Sequence, residues 1–195
     1  HESDMLVKPD ATTAFIDPFF EEKTLVLVCN IVDPLTHIDY PRDPRNISRK
    51  TEAYLKPKRI LLVDRDGVIN RKALRGEYIS QWEDFEWIQE TREAMKQLAK
   101  EGFQFIVISN QAGIARGMID PNELERIHSN MRKELQEDGI RILDIYICPH
   151  HWDEKCFCRK PNPGMLFQAS QEYLFRLDKT LFIGDDPRDC QAAWN

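Results

Sequence analysis

A chain of 195 residues with 42% hydrophobic residues and only 8 glycines can fill one ordinary core plus an appendage, which excludes a disordered polymer. The formal net charge of -6 argues against general affinity for nucleic acid. No apolar run approaches the roughly 18 residues of a membrane span and the start has no secretory-signal pattern, so no membrane is expected and the cytoplasm is the default. Of 5 cysteines, Cys148, Cys156 and Cys158 cluster, which suits a metal site in a reducing compartment better than a disulfide framework. Cys29 and Cys190 read as ordinary core or helix thiols.

The first 57 residues differ from the rest. Leu25 to Val32 reads as a strand, turn-rich Asp33-Pro34 and Asp39 to Pro44 follow, and Arg45 to Leu55 is expected to be helical. Three pieces in order, Glu2-Ser3-Asp4-Met5, Ala14 to Phe20 and Arg42-Asp43-Pro44-Arg45, resemble the small N-terminal β-grasp domain of bacterial glutamine synthetases. That resemblance implies that Asp4 matches an aspartate which reaches across a subunit interface towards the ammonium site. Nothing here matches the large catalytic domain or the glutamate metal ligands, so synthetase activity is not expected. This α+β appendage reads as an engineered fusion, a natural graft, or a folding and oligomerisation aid, and self-association through it belongs to the last of these.

From Lys58 the pattern alternates strand and helix. Ile60-Leu61-Leu62-Val63 is a continuous apolar run of the kind a buried parallel strand shows, and it runs into Asp64 and Asp66. Thr91 to Lys100 carries Ala94, Met95, Leu98 and Ala99 at helical spacing, with Gly102 placed to end the helix. Phe103 to Ser109 is the next buried strand. Asp120-Pro121-Asn122-Glu123 is a helix start, with Leu124, Ile127, Met131 and Leu135 on one face. Ile142 to Cys148, Gly164 to Phe175 and Lys179 to Asp185 read as strand, helix and strand, and a last helix begins near Pro187. The alternation predicts a Rossmann-like α/β fold, a parallel sheet with helices on both faces. A further edge strand is expected beyond Asn195, so the domain reads as shortened at its C-terminus. The expected division is 1–57 and 58–195.

Three strands end in groups suited to phosphate and a hard cation: Asp64 and Asp66; Ser109, Asn110 and Gln111; Asp185, Asp186 and Asp189. Ligands of open α/β sheets bind at these carboxyl ends. Arg159 and Lys160 add positive charge. Such types support phosphoryl transfer through an aspartyl phosphate: one carboxylate attacks, a second acid two residues on moves protons, and Mg²⁺ held by carboxylates offsets the phosphate charge.

Asp64-Arg65-Asp66-Gly67-Val68-Ile69-Asn70, Ser109 to Gly117, Cys148-Pro149-His150, Cys156-Phe157-Cys158-Arg159-Lys160-Pro161 and Gly184 to Asp189 resemble, in order and spacing, the haloacid dehalogenase superfamily. The similarity is to the subgroup of heptose-bisphosphate and histidinol-phosphate phosphatases. The resemblance implies Asp64 as nucleophile and Asp66 as general acid/base. It puts Mg²⁺ on Asp64, the Asp66 carbonyl and Asp185, and the phosphoryl group on Ser109 and Lys160. Asn110 and Arg159 would touch phosphate or substrate, with Asp186 and Asp189 in support. The same resemblance places structural Zn²⁺ on Cys148, His150, Cys156 and Cys158, and four soft ligands in two pairs suit that metal. His151 is a substitute ligand on residue type alone.

The stretch from Asp64 to Ser109 has room for a strand-end flap and one helix but no cap domain. A capless site, selected by the zinc loop and the Arg71–Asp84 loop, suits extended phosphate esters. Trp82, Phe85 and Trp87 read as a packed patch rather than a substrate platform. The leading expectation is a Mg²⁺-dependent phosphomonoesterase acting on a small-molecule ester, a heptose bisphosphate ahead of histidinol phosphate. A catalytically silent assembly module is the alternative from another class. A polynucleotide 3′-phosphatase is weaker, because the chain lacks a basic stripe.

Overall fold

The computed structural model describes residues 27–30, as backbone, and residues 52–195. The glutamine-synthetase-like motifs and most of the Arg45–Leu55 helix lie outside the described residues. The last residues of that stretch, 52–55, are helical.

A five-stranded sheet organises the chain. Its strands are β1 (Leu27–Asn30), β2 (Ile60–Val63), β3 (Gln104–Asn110), β4 (Ile142–Cys148) and β5 (Leu181–Gly184), in the spatial order β1-β5-β2-β3-β4. The four strands after residue 58 are mutually parallel, with Leu62 opposite Ile106 on one side and Phe182 on the other. β1 joins antiparallel on the outer edge of β5, with Leu27 opposite Gly184. An N-terminal strand therefore completes the sheet, a long-range pairing that local pattern could not reveal.

Alternation along the strands builds two cores. Ile60, Leu62, Ile106, Ile108 and Phe182 face helices α3 (Gly164–Tyr173) and α4 (Pro187–Trp194), through Met165, Leu166, Ala169, Ala192 and Ala193. Leu61, Val63, Phe105 and Val107 face α1 (Gln89–Lys100) and α2 (Pro121–Glu137), through Met95, Ile127, Met131 and Leu135. Strands buried on both faces are why the sequence reads as continuous apolar runs. Helices thus cover both sides of the sheet, as expected.

The punctuation works as the residue types dictate. Asp120 caps α2 by accepting from the backbone N–H of Asn122 at 2.7 Å and of Glu123 at 3.4 Å, with Pro121 in the first turn. Gly102, just past α1, adopts φ +85°. Trp82, Phe85 and Trp87 form a packed aromatic cluster, with Trp82 and Phe85 stacked at 4.8 Å and Phe85 and Trp87 edge-on at 4.9 Å. Trp87 also donates its indole N–H to Glu134. These rings support α1 and α2 rather than the site. Cys190 corrects its reading as an ordinary thiol, because it is disulfide-bonded.

Candidate active site

The carboxyl ends of β2, β3 and β5 meet at one edge of the sheet. The backbone N–H of Asp64 still pairs with Ile183 of β5 at 2.8 Å, so the first carboxylate leaves from the last rung of the ladder. The chain then turns at once: the N–H groups of Ile69 and Asn70 both donate to the Arg65 carbonyl, and Gly67 N–H donates to the Asn70 carbonyl. Gly67 has φ +92°, and a Cβ there would lie 2.2 Å from Asp185 Oδ2. Only glycine permits both the turn and the close approach of Asp185.

Lys160 is the hub. Its side chain is 2% exposed, and its ammonium meets Asp64 Oδ2 at 2.9 Å, Asp189 Oδ1 at 2.7 Å and the Ile108 carbonyl at 2.9 Å. Burial opposes this charge, but the two carboxylates more than reverse that, and the Lys160 pKa is raised. Asn110 fixes the backbone that carries it, with Oδ1 accepting Lys160 N–H and Nδ2 donating to the Lys160 carbonyl, each at 3.0 Å. Asn110 lines the cavity but spends its amide on Lys160. Burial pushes the Asp64 carboxyl up to about 6, with Lys160 opposing and Asp189 and Asp66 adding to the rise.

Asp66 is in a different environment. Its Oδ1 accepts from Arg65 and from Asn70 Nδ2 at 2.9 Å, and its Oδ2 accepts from Gln111 Nε2 at 2.8 Å and again from Arg65. Burial works against its charge, yet Arg65 and these donors leave its pKa below the usual carboxylate value. Two carboxylates spaced one residue apart thus have their pKa values driven in opposite directions. The two carboxylates therefore occupy electrostatically distinct surroundings when no cation or phosphate is bound, Asp64 desolvated beside Lys160 and Asp66 held ionised by its donors.

The third strand end supplies Asp185, Asp186 and Asp189. Asp186 caps α4 by accepting from Arg188 N–H, while Asp189 Oδ2 accepts Asp186 N–H at 3.1 Å. A Cβ at Gly184 would lie 2.3 Å from Asp189 Oδ2, so that residue too must be glycine. Asp189 is the brace under Lys160, and Asp186 the brace of α4. Asp185 Oδ1 is buried without a hydrogen-bond partner, and its Oδ2 meets the Lys72 ammonium at 2.5 Å. One oxygen each from Asp64, Asp185 and Asp189 lie within 4.8 Å of one another. An orphaned carboxylate oxygen in a group of hard oxygen donors suits Mg²⁺. The Asp66 carboxylate is outside that group, so Asp66 could contribute there only through its carbonyl.

Cys148, His150, Cys156 and Cys158 converge beside this edge. The Cys148–Cys156 and Cys156–Cys158 sulfurs are 3.4 Å apart, and His150 Nδ1 lies 3.6 Å from Cys148 and 3.2 Å from Cys158. A tetrahedron with bonds of about 2.3 Å to sulfur and about 2.0 Å to nitrogen has edges only slightly longer than these. Burial and the neighbouring sulfurs push the Cys158 thiol up to about 12, so a cation is needed to hold the thiolates together at neutral pH. His151 is outside the group: it caps the short helical turn Trp152–Glu154 and packs on Trp152 at 3.7 Å.

A cavity of about 90 Å³ over Asp64, Ser109 and Lys160 opens into one of about 800 Å³. The larger space is walled by the Arg71–Asp84 loop, through Lys72 to Ile79, and by Trp152 and Arg159 near the Cys₃His loop. Arg159 Nη1 is buried with no hydrogen-bond partner among the described residues. The sequence did not single out Lys72, Arg188 or His128, and it gave Arg65 and Gln111 no part in holding Asp66. Arg188 lines both spaces and pairs with Asp186 at 2.7 Å. A cation beside the third acidic motif was the available signal for it.

Similarity to known proteins spans the part of the chain that forms this edge. The family model described as polynucleotide kinase 3 phosphatase matches residues 59–191. That of the glutamine synthetase β-grasp domain matches residues 1–34. Curated relatives include a D-glycero-α-D-manno-heptose-1,7-bisphosphate 7-phosphatase of Photorhabdus laumondii, 36% identical over 142 residues, or 69% of this chain and 76% of that one. The β-anomer 7-phosphatase of Pseudomonas putida is 40% identical over 135 residues, again 69% and 76%. Among solved structures, the heptose 1,7-bisphosphate phosphatase of B. bronchiseptica, complexed with magnesium and phosphate, aligns at TM-score 0.56 and 30% identity. It covers 59% of this chain and 63% of that one. A HAD-like phosphatase of Mesorhizobium loti shares the fold, with TM-score 0.61 at 24% identity over 88% of this chain and 75% of its own. The carboxylates, lysine and glycines of this edge all lie within the matched residues 59–191, and this chain belongs to the polynucleotide kinase 3 phosphatase family, as a phosphatase of the haloacid dehalogenase superfamily.

Proposed function

We propose that the chain hydrolyses a heptose 1,7-bisphosphate by way of a phosphoryl group carried on Asp64. The observation that carries this reading is the buried Asp64–Lys160–Asp189 arrangement lining the small cavity, with Asp66 two residues from Asp64. Asp64 attacks phosphorus, and the leaving alkoxide departs. Asp66, ionised in the free site, takes up a proton as the phosphate dianion binds, gives it to that oxygen and later takes one from the attacking water. Lys160 and Ser109, at the floor of the cavity, stabilise charge on the phosphoryl oxygens. Asn110 acts by fixing Lys160, and Arg159 offers a free donor to the outer part of the substrate. Asp64, Asp185 and the Asp66 carbonyl are the residues that would hold Mg²⁺, which supplies charge neutralisation between nucleophile and phosphate. Cys148, His150, Cys156 and Cys158 would hold Zn²⁺; a closed ligand set of this kind is structural.

Substrate choice rests on the larger cavity, whose Arg75, Arg116 and Arg159 suit an ester with a second anionic group. Phosphate release should be compared across α- and β-heptose bisphosphates, a hexose bisphosphate, histidinol phosphate and a 3′-phosphorylated oligonucleotide. The expected result is the highest kcat/KM on a heptose bisphosphate. Preference for the oligonucleotide would replace this reading with the polynucleotide one, and no turnover of any would favour an assembly module.

Protons and the cation compete for the same carboxylates. Burial raises both Asp64, to about 6, and Asp185. The apparent Mg²⁺ affinity should therefore fall as pH drops through about 6 and stay flat above 7. A Mg²⁺ titration of thermal stability at pH 5 and pH 7.5 measures this. Equal affinity at both values contradicts the assignment of Asp64 as a ligand.

The N-terminal segment is proposed to drive self-association, read from its likeness to the glutamine synthetase β-grasp domain, although it is not separate from the phosphatase sheet, which Leu27–Asn30 joins. Among the described residues no helix is long and apolar enough to cross a membrane.

A further inference from the structure

Arg65 is the largest fully buried side chain of the core, at 0% exposure, and it stands between the two working carboxylates. One edge of its guanidinium grips Asp66: Nη2 reaches both carboxylate oxygens at 2.9 Å, and Nε reaches Oδ1 at 3.2 Å. The opposite edge faces away from the cavity, where Nη1 lies 3.2 Å from His128 Nε2. His128 is on α2, 6% exposed, in the inward stripe with Leu124, Ile127 and Met131. We propose that His128 is a positioning residue of the phosphatase site, whose imidazole Nε2 accepts from Arg65 Nη1 and so fixes the guanidinium that aims Asp66.

Three observations support this. First, burial and the Arg65 charge hold the His128 imidazole at a pKa of about 3, so Nε2 is a free acceptor rather than a second cation. The other charges near this ring are Asp66, which favours its protonation, and Arg132 of α2, which opposes it. Second, a guanidinium gripped on one edge only can pivot about the grip, and Asp66 would pivot with it; acceptors on opposite edges fix the plane. Third, a leucine at 128 would continue the apolar stripe at no desolvation cost, whereas a buried Arg–His contact carries one. The contact makes sense through what Arg65 does next, which is to hold the carboxylate that must meet the leaving oxygen. Displacements of about 1 Å at such groups are costly to rate.

The inference rests on Asp66 being the acid/base, and the test keeps the two apart. His128→Leu removes the acceptor. His128→Gln restores one at similar reach, and His128→Asn keeps polarity but is too short. Each is assayed in the full chain for kcat/KM, which reports phosphoryl transfer to Asp64 and not the later hydrolysis. One substrate is a sugar phosphate, whose alkoxide needs a proton, and the other a dinitrophenyl phosphate, whose leaving group needs none. His128→Leu and His128→Asn should lose at least about ten-fold on the sugar phosphate. They should match the parent on the dinitrophenyl ester, with His128→Gln near the parent on both. Equal losses on both esters, no loss on either, or failure of His128→Gln to outperform His128→Asn would overturn the inference. Should His128→Leu fail to fold, the Gln and Asn pair decides alone. Asp66→Asn is the control for the underlying reading: normal sugar-phosphate turnover by that variant refutes the acid/base role itself, whatever the His128 variants do.

Discussion

Asp64→Asn should remove turnover by at least about 10⁴-fold while leaving the protein folded, because an amide cannot attack phosphorus and no neighbour can take its place. Asp66 is gripped by Arg65, Asn70 and Gln111, Asp189 is committed to Lys160 and the Asp186 backbone, and Asp185 belongs to a different strand end. The substitution is nearly isosteric. Arg65 N–H still finds an oxygen in place of Asp64 Oδ1, where it now donates at 2.7 Å. Lys160 loses one carboxylate but keeps Asp189 and the Ile108 carbonyl, so its buried charge stays partnered. The variant should therefore melt cooperatively and still bind phosphate esters. Steady-state kinetics on the preferred ester, with a melting curve on the same sample, checks both halves. Residual turnover within ten-fold of the parent would remove Asp64 from the nucleophile role.

Cys158→Ser should release the zinc and weaken the whole site, although no zinc ligand touches the reacting atoms. Cys158 directly precedes Arg159 and Lys160, so the metal group and the hub lysine share one short loop. The Phe157 carbonyl and Gly164 N–H close that loop, Asn162 Nδ2 donates to the Cys156 carbonyl at 2.8 Å, and Asn162 N–H donates to the Arg159 carbonyl. Asn110 clamps the Lys160 backbone, but the bonds that reach the cysteine end of this irregular segment are few. Burial drives the Cys158 pKa up to about 12 where no cation balances the thiolates. Structural zinc binding is linked to folding, and losing it here should cost more than about 3 kcal/mol of stability. Three readouts should move together: zinc content from one per chain to none, a lower melting temperature, and a lower kcat as Lys160 loses its fixed position. Unchanged zinc content in Cys158→Ser would contradict the ligand assignment.

The catalytic edge was readable in advance because strand ends are local. A buried run ending in Asp64, another ending in Ser109 and a third ending in Asp185 each announce themselves within a few residues, and the parallel sheet forces them to one edge. Asp120 before Pro121 marked the start of α2 for the same reason. What escaped was set by contacts across the fold. Arg65 read as a spacer between two aspartates, and only the depth of α2 behind it made it a buried grip. His128 fell in an apolar stripe whose hydrophobic members were recognised and whose polar member was passed over. Lys72 meets Asp185 only because Gly67 lets the loop fold back. The edge pairing of β1 with β5 joins residues far apart in sequence, and nothing in Leu27–Asn30 specifies that partner. For Asn110 the resemblance implied a contact with phosphate or substrate; it lines the cavity, and its amide also clamps the Lys160 backbone, a role that only the fold reveals.

The central claim is that phosphate leaves the substrate on Asp64. Rapid acid quench of the enzyme during turnover of its preferred ester, followed by peptide mapping by mass spectrometry, tests it directly. The expected result is a phosphoryl group on the peptide containing Asp64, formed at the rate of the first turnover and absent from Asp64→Asn. Steady turnover with no phosphorylated peptide at any quench time, together with normal turnover by Asp64→Asn, would contradict it.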